Sequence, residues 1–172
     1  MKFRKLKHSE IDVRVQQVKK NGAVLLLYKD ARCDMNILDE TVGCMKWQRN
    51  HTRDNANCIV SIWSDELKQW VSKEDTGTES FTEKAKGLAS DSFKRACFNW
   101  GIGRELYTSP FIWINASDID IKEQQKNNKT VYTTYDKFEV EKITYLEDGS
   151  IDGLSIINSK SKKRVFVKKP TV

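Results

Sequence analysis

From about Thr82 to Trp100, small and apolar residues recur at i, i+3, i+4, i+7 and i+8: Ala85, Leu88, Ala89, Ser92, Phe93, Ala96, Cys97 and Trp100. Only a helix puts those positions on one stripe, and a stripe that continuous must face a core. The small side chains in it predict a close approach to a sheet. The stripe ends at Gly101-Ile102-Gly103, where Gly101 stands at the place of a left-handed C-terminal cap. Lys84, Asp91, Lys94, Arg95 and Phe98 project away from the stripe.

The chain before this helix reads as strand, turn, strand and helix. Residues 11–28 form two apolar runs split by Asn21-Gly22, which is expected to supply the positive backbone angles of a tight hairpin. Asp30 is placed to cap a helix that carries Ala31, Met35, Leu38 and Val42 at helical spacing and closes at Gly43. Met45, Trp47, Arg49 and His51 then alternate with polar residues, the two-residue period of a strand. Two more short strands are expected around residues 58–63 and 68–72, joined by a turn at Ser64-Asp65-Glu66. The body therefore reads as an antiparallel meander packed with two helices, an α+β layer pair.

Beyond Pro110, "FIWI" reads as a short buried strand. Residues 1–114 are taken as one core domain, 115–129 as a polar linker, and 130–172 as an accessory β element with a basic tail. No internal repeat or low-complexity tract is visible.

Charge is concentrated at the ends. The net charge is +6, of which residues 1–20 carry +5 and residues 158–172 carry +6, leaving 21–157 at −5. A polyanionic partner is consistent with this, but the total alone does not place a basic groove in the body. No apolar run approaches the length that spans a bilayer. The basic N-terminus lacks the apolar centre and cleavage site of a secretory signal, so the expectation is a cytoplasmic chain. Cys33, Cys44, Cys58 and Cys97 form no close ligand pair, and they are expected to be buried free thiols rather than a zinc site. No cofactor is called for: the glycine pair is not a dinucleotide fingerprint, and no phosphate-binding loop occurs.

Basic side chains with an interleaved aromatic suit single-stranded nucleic acid, because cations neutralise the backbone while a ring stacks on any base. A solvated helix face with ion pairs such as Asp91 with Arg95 explains the same residues and stands beside that reading.

"KDARCDMNILDETVG", Trp47 and "KGLASDSFKRACFNWGIGRELY" together resemble the single-strand annealing proteins of the Rad-fifty-two/Rad-twenty-two type, with the bacteriophage and prophage branch the most similar. The resemblance covers roughly residues 12–114. It implies a β-β-β-α core, an antiparallel meander packed on a long helix, with an N-terminal hairpin and helix and a C-terminal β extension. It further implies homo-oligomeric rings or arrays that bind single-stranded DNA in a basic groove and anneal complementary strands in recombination and repair, without ATP or metal. Lys94 and Arg95 match the Lys-Arg pair that lines such a groove, and Arg14 matches the basic residue of its other wall. Lys84 and Lys86 are weaker DNA-binding candidates. Phe98 stands where some relatives carry a further arginine, and is read as a stacking or interface residue. A phage or host exonuclease or single-strand-binding protein in a bacterial host cell would be the expected partner, and no membrane contact is expected.

Two other readings remain open from the residues. One is a single-stranded DNA-binding module that does not anneal. The other is a metal-dependent nuclease built on Asp54 with Glu66 and Lys68, although both acids fall in turn signals, where carboxylates are common. A divalent site from Glu74, Asp75 and Glu79 competes with a plain polar loop.

Overall fold

A computed structural model describes residues 1–78 and 84–171, the side chains of residues 84–86 excepted. The fold is α+β. By contacts the chain forms two compact units: Met1–Lys5 with Asp30–Arg104, and Leu6–Lys29 with Glu105–Val172. Among the described residues no helix is long and apolar enough to cross a membrane.

The first unit contains helix α1 (Ala31–Val42), strands β3 (Trp47–Thr52), β4 (Asn57–Ser64) and β5 (Gln69–Thr76), and helix α2 (Lys84–Trp100). The strands form an antiparallel sheet in the order β3-β4-β5. The β3–β4 turn places Arg53, Asp54 and Asn55 at φ 51, 52 and 70, a conformation that Asn and Asp tolerate better than most residues. Alternation along β4 buries Cys58, Val60 and Ile62, and α2 lies against β4 and β5. Phe93, Ala96 and Cys97 are fully buried, as the stripe requires. Phe93 stacks on Trp47 with centroids 6.1 Å apart and lies 4.9 Å beneath the Arg49 guanidinium.

The expected close approach is visible at Gly77, where a Cβ would come within 2.6 Å of the Ser92 nitrogen. The Ser92 hydroxyl, buried in the helix, donates to the Asn55 carbonyl at 2.9 Å. Helix α1 is capped as its sequence predicts: the Asp30 side chain accepts from the Arg32 N–H, and the N–H of Gly43 at φ 86 donates to the Asp39 carbonyl.

The second unit is built on a six-stranded antiparallel sheet, order β11-β10-β9-β1-β2-β6. Its strands are β1 (Asp12–Lys19), β2 (Gly22–Tyr28), β6 (Ile112–Asn115), β9 (Phe138–Tyr145), β10 (Ile151–Asn158) and β11 (Arg164–Lys168). The edge strands β11 and β6 approach each other, so the sheet curls nearly into a barrel. Its core takes Leu25 from β2, Ile112 and Ile114 from β6, Val140 from β9, and Leu154 and Ile156 from β10. The segment before β1 is tied in by a buried pair of bonds: the Leu6 N–H donates to Glu105 at 2.7 Å, and the Tyr145 hydroxyl donates to the Leu6 carbonyl at 2.9 Å.

Several expectations are corrected here. The N-terminal hairpin, taken as part of the 1–114 core domain, pairs with β6 on one side and β9 on the other, in the second unit. Residues 130–172 supply half the strands of that sheet rather than an appendage beside it. The stretch read as linker holds β7 (Lys122–Lys126), paired with β8 (Lys129–Thr133) across an Asn127-Asn128 turn at φ 53 and 58. Asn21 and Gly22 are not among the residues with positive φ. Gly22 is required instead because a Cβ would meet the Ile114 carbonyl oxygen and the Trp113 ring. Three cysteines are buried free thiols, but Cys44 is exposed.

Truncating Phe93 removes a ring packed on every side. Phe93→Ala should cost about 3–5 kcal/mol, read as a lowered urea midpoint. A loss under about 1 kcal/mol would mean that α2 is not held by this contact.

Candidate nucleic-acid interface

Helix α2 ends in a full Schellman arrangement. The Ile102 N–H donates to the Cys97 carbonyl and the Gly101 N–H to the Phe98 carbonyl, with Gly101 at φ 101. The turn sends Arg104 back along the helix. Its Nε donates to the Phe98 carbonyl and its Nη2 to the Asn99 carbonyl, both at 2.8 Å, and its guanidinium stands 5.6 Å from the Phe98 ring. Lys73 on β5 donates to the same Asn99 carbonyl at 2.9 Å and lies 4.6 Å over the Trp100 ring. Two cations therefore meet the negative end of the helix dipole. Nothing in the local sequence pattern marks Arg104 as part of the site, save that a basic residue just past a C-terminal glycine can satisfy last-turn carbonyls.

Lys94 and Arg95 diverge. Successive helical residues are turned by about 100°, so one points to α1 and the other to β5. Arg95 Nε lies 3.4 Å from Asp75 Oδ1, and its side chain remains 44% exposed. The expected Asp91–Arg95 pair is replaced: Asp91 accepts from the Thr78 N–H and hydroxyl. Lys94 is half-buried and makes no ion pair among the described residues. Its charge reaches Asp30, whose carboxyl is held below the usual range first by hydrogen bonds from the Arg32 side chain and backbone, with Arg32 and Lys94 charges adding.

Lys94, Phe98 and Arg104 thus run along one face of α2, cation, ring, cation. Phe98 is half-exposed with Arg104 against it. Arg14 is exposed on β1, opposite Leu26, and belongs to the other compact unit. The side chains of Lys84 and Lys86 lie outside the described residues. Burial and then the Arg49 charge push the His51 imidazole below its ordinary range.

Among the described residues the candidate carboxylates are not brought together. Asp54 sits in the β3–β4 turn and Glu66 in the β4–β5 turn, at opposite ends of an eight-residue strand, roughly 25 Å apart at strand rise. Glu74 and Asp75 are neighbours in β5 and so point to opposite faces, while Glu79 lies outside the described residues.

Asp30→Ala removes an N-cap and should cost about 1 kcal/mol at pH 7. Because the folded-state pKa of Asp30 is depressed, its contribution is complete above the unfolded carboxylate range and is lost as pH falls through the folded value. The stability gap between wild type and Asp30→Ala should therefore narrow on acidification below about pH 4. A gap that stays constant to pH 2 would refute the charged cap.

No family model, curated protein or solved structure matches the chain.

Proposed function

We propose that this chain binds single-stranded DNA and anneals complementary strands without ATP, acting as a homo-oligomer in recombination and repair. The observation that carries the reading is the Lys94–Phe98–Arg104 face, with Arg95 beside it, on a helix packed against the β3–β5 sheet. Cations and a half-exposed ring on one face match what a single strand offers, a phosphate backbone and stackable bases. The Arg95–Asp75 pair is long and exposed, the kind worth about 0–1 kcal/mol, so a phosphate can replace Asp75 at little cost. The sequence resemblance to annealing proteins supports the same reading.

Annealing breaks no covalent bond. It requires that two polyanions be neutralised, bases left accessible, and the duplex released. One subunit with two or three modest cationic contacts holds a strand weakly; an array of such subunits holds it through effective concentration. Oligomerisation is therefore part of the proposal.

The test is annealing of two complementary labelled oligonucleotides in EDTA, without nucleotide, over a salt series. Acceleration over the spontaneous rate is expected, with a binding slope of roughly −0.7 per phosphate contact. Lys94→Ala with Arg95→Ala should weaken binding alike for all sequences and leave the circular dichroism spectrum unchanged. Tight binding without acceleration would leave a non-annealing binding module as the correct reading. Wild-type annealing by the double variant would remove α2 from the interface.

A further inference from the structure

The basic C-terminal segment is not uniformly solvated. Lys162 pairs with Glu139 at 2.5 Å and Lys163 with Asp118 at 2.6 Å, so those charges are compensated within the fold. Others are directed elsewhere. On the outer side of β9–β11, Lys142, Ser155 and Val167 stand in register across the three strands. Thr144 and Gly153 form the next row.

The middle of this surface is low, because β10 presents only serine and glycine there. Gly153 is constrained to stay bare: a Cβ would come 2.7 Å from Thr144 Oγ1 and 2.9 Å from Pro170 Cγ. The tail is held at that end, since the Thr171 N–H and hydroxyl donate to Asp152 at 2.8 and 2.9 Å. The result is an open depression with Lys142, Arg164, Lys168 and Lys169 around it and, among the described residues lining it, Glu141 as the acid.

Glu141 is already matched. Arg164 donates to both its oxygens, at 2.6 and 2.7 Å, and the Ser155 hydroxyl donates at 2.5 Å. These bonds, Arg164 first, hold its carboxyl down at about 2. Lys168 donates to the Ile151 carbonyl at 2.6 Å, and its charge also acts on Asp152 at the same end of β10. Lys142 acts on Glu141 only through space, and neither it nor Lys169 makes a direct ion pair among the described residues. Three positive charges therefore surround a shallow floor of glycine and hydroxyls. A small anion would need enclosing donors, which this surface lacks; long lysine stems around an open floor suit a polymeric backbone of repeating charge.

We propose that this depression is a second contact for the phosphodiester backbone of single-stranded DNA, with Lys142, Lys168 and Lys169 as its cations. The proposal rests on the DNA-binding reading above. It makes the C-terminal segment part of the interface and Glu141 the acid that limits its strength.

The experiment is equilibrium binding of a labelled oligodeoxythymidine to the full chain over a salt series. Lys142→Gln with Lys169→Gln should lower the slope by about 1.4 and weaken binding roughly tenfold at 0.1 M salt. Glu141→Gln frees Arg164 and should tighten binding and steepen the slope, a gain that misfolding cannot produce. Glu147→Gln, the same charge change on an exposed residue of the β9–β10 turn, should leave binding unaltered. An unchanged slope in the lysine variant, no gain in Glu141→Gln, or an equal gain in Glu147→Gln each overturns the second contact while wild-type binding stands. Absence of DNA binding by the wild-type chain overturns the DNA-binding reading and this proposal with it.

Discussion

The seating of Phe93 against Trp47 and Arg49 is the contact on which the first unit depends. Once that ring points inward with Ala96 and Cys97, every other position on α2 is assigned. Lys94 turns toward α1, Arg95 toward Asp75, and Phe98 toward Arg104. The close approach at Gly77 and the buried Ser92 bond fix the rotation of the helix about its own axis. A charged face held this way presents its cations without further ordering, so less conformational entropy is lost when a ligand arrives.

Three ion pairs of the first unit are exposed ones. Arg95–Asp75, Arg32–Asp30 and Lys46–Asp65 all lie at the surface, where screening leaves little net stability. Each such pair cancels a cation locally in the free protein.

What the sequence makes legible is local. The stripe of α2, the Asp30 cap, the glycine that ends the helix and the alternation of β3–β5 follow from periods and caps spanning a few residues. What it hides is pairing at long range. Alternation in "IDVRVQQV" shows a strand with two faces, but nothing in it says that Val13 lies beside Phe138. The hairpin is therefore legible in the sequence and its sheet is not. The divergence of Lys94 and Arg95 is implicit in helical geometry, yet the tie to Asp75, twenty residues earlier, needs the packing of β5. The Asn127-Asn128 turn was a readable signal that the surrounding polarity concealed. Gly22 teaches the reverse lesson: a residue that suits a turn can be demanded by a neighbouring strand.

Strands β2 and β6 are hydrogen-bonded neighbours, with Leu25 opposite Ile112, although the chain between them contains α1, the meander and α2. In topology the larger part of the first unit is thus an insertion at the loop of a β-hairpin, leaving at Lys29 and returning at Glu105. A few turn residues could bridge β2 to β6 in its place, since an antiparallel pair needs only a short connection. The chain is organised as a host sheet with a guest module, each with its own strand order.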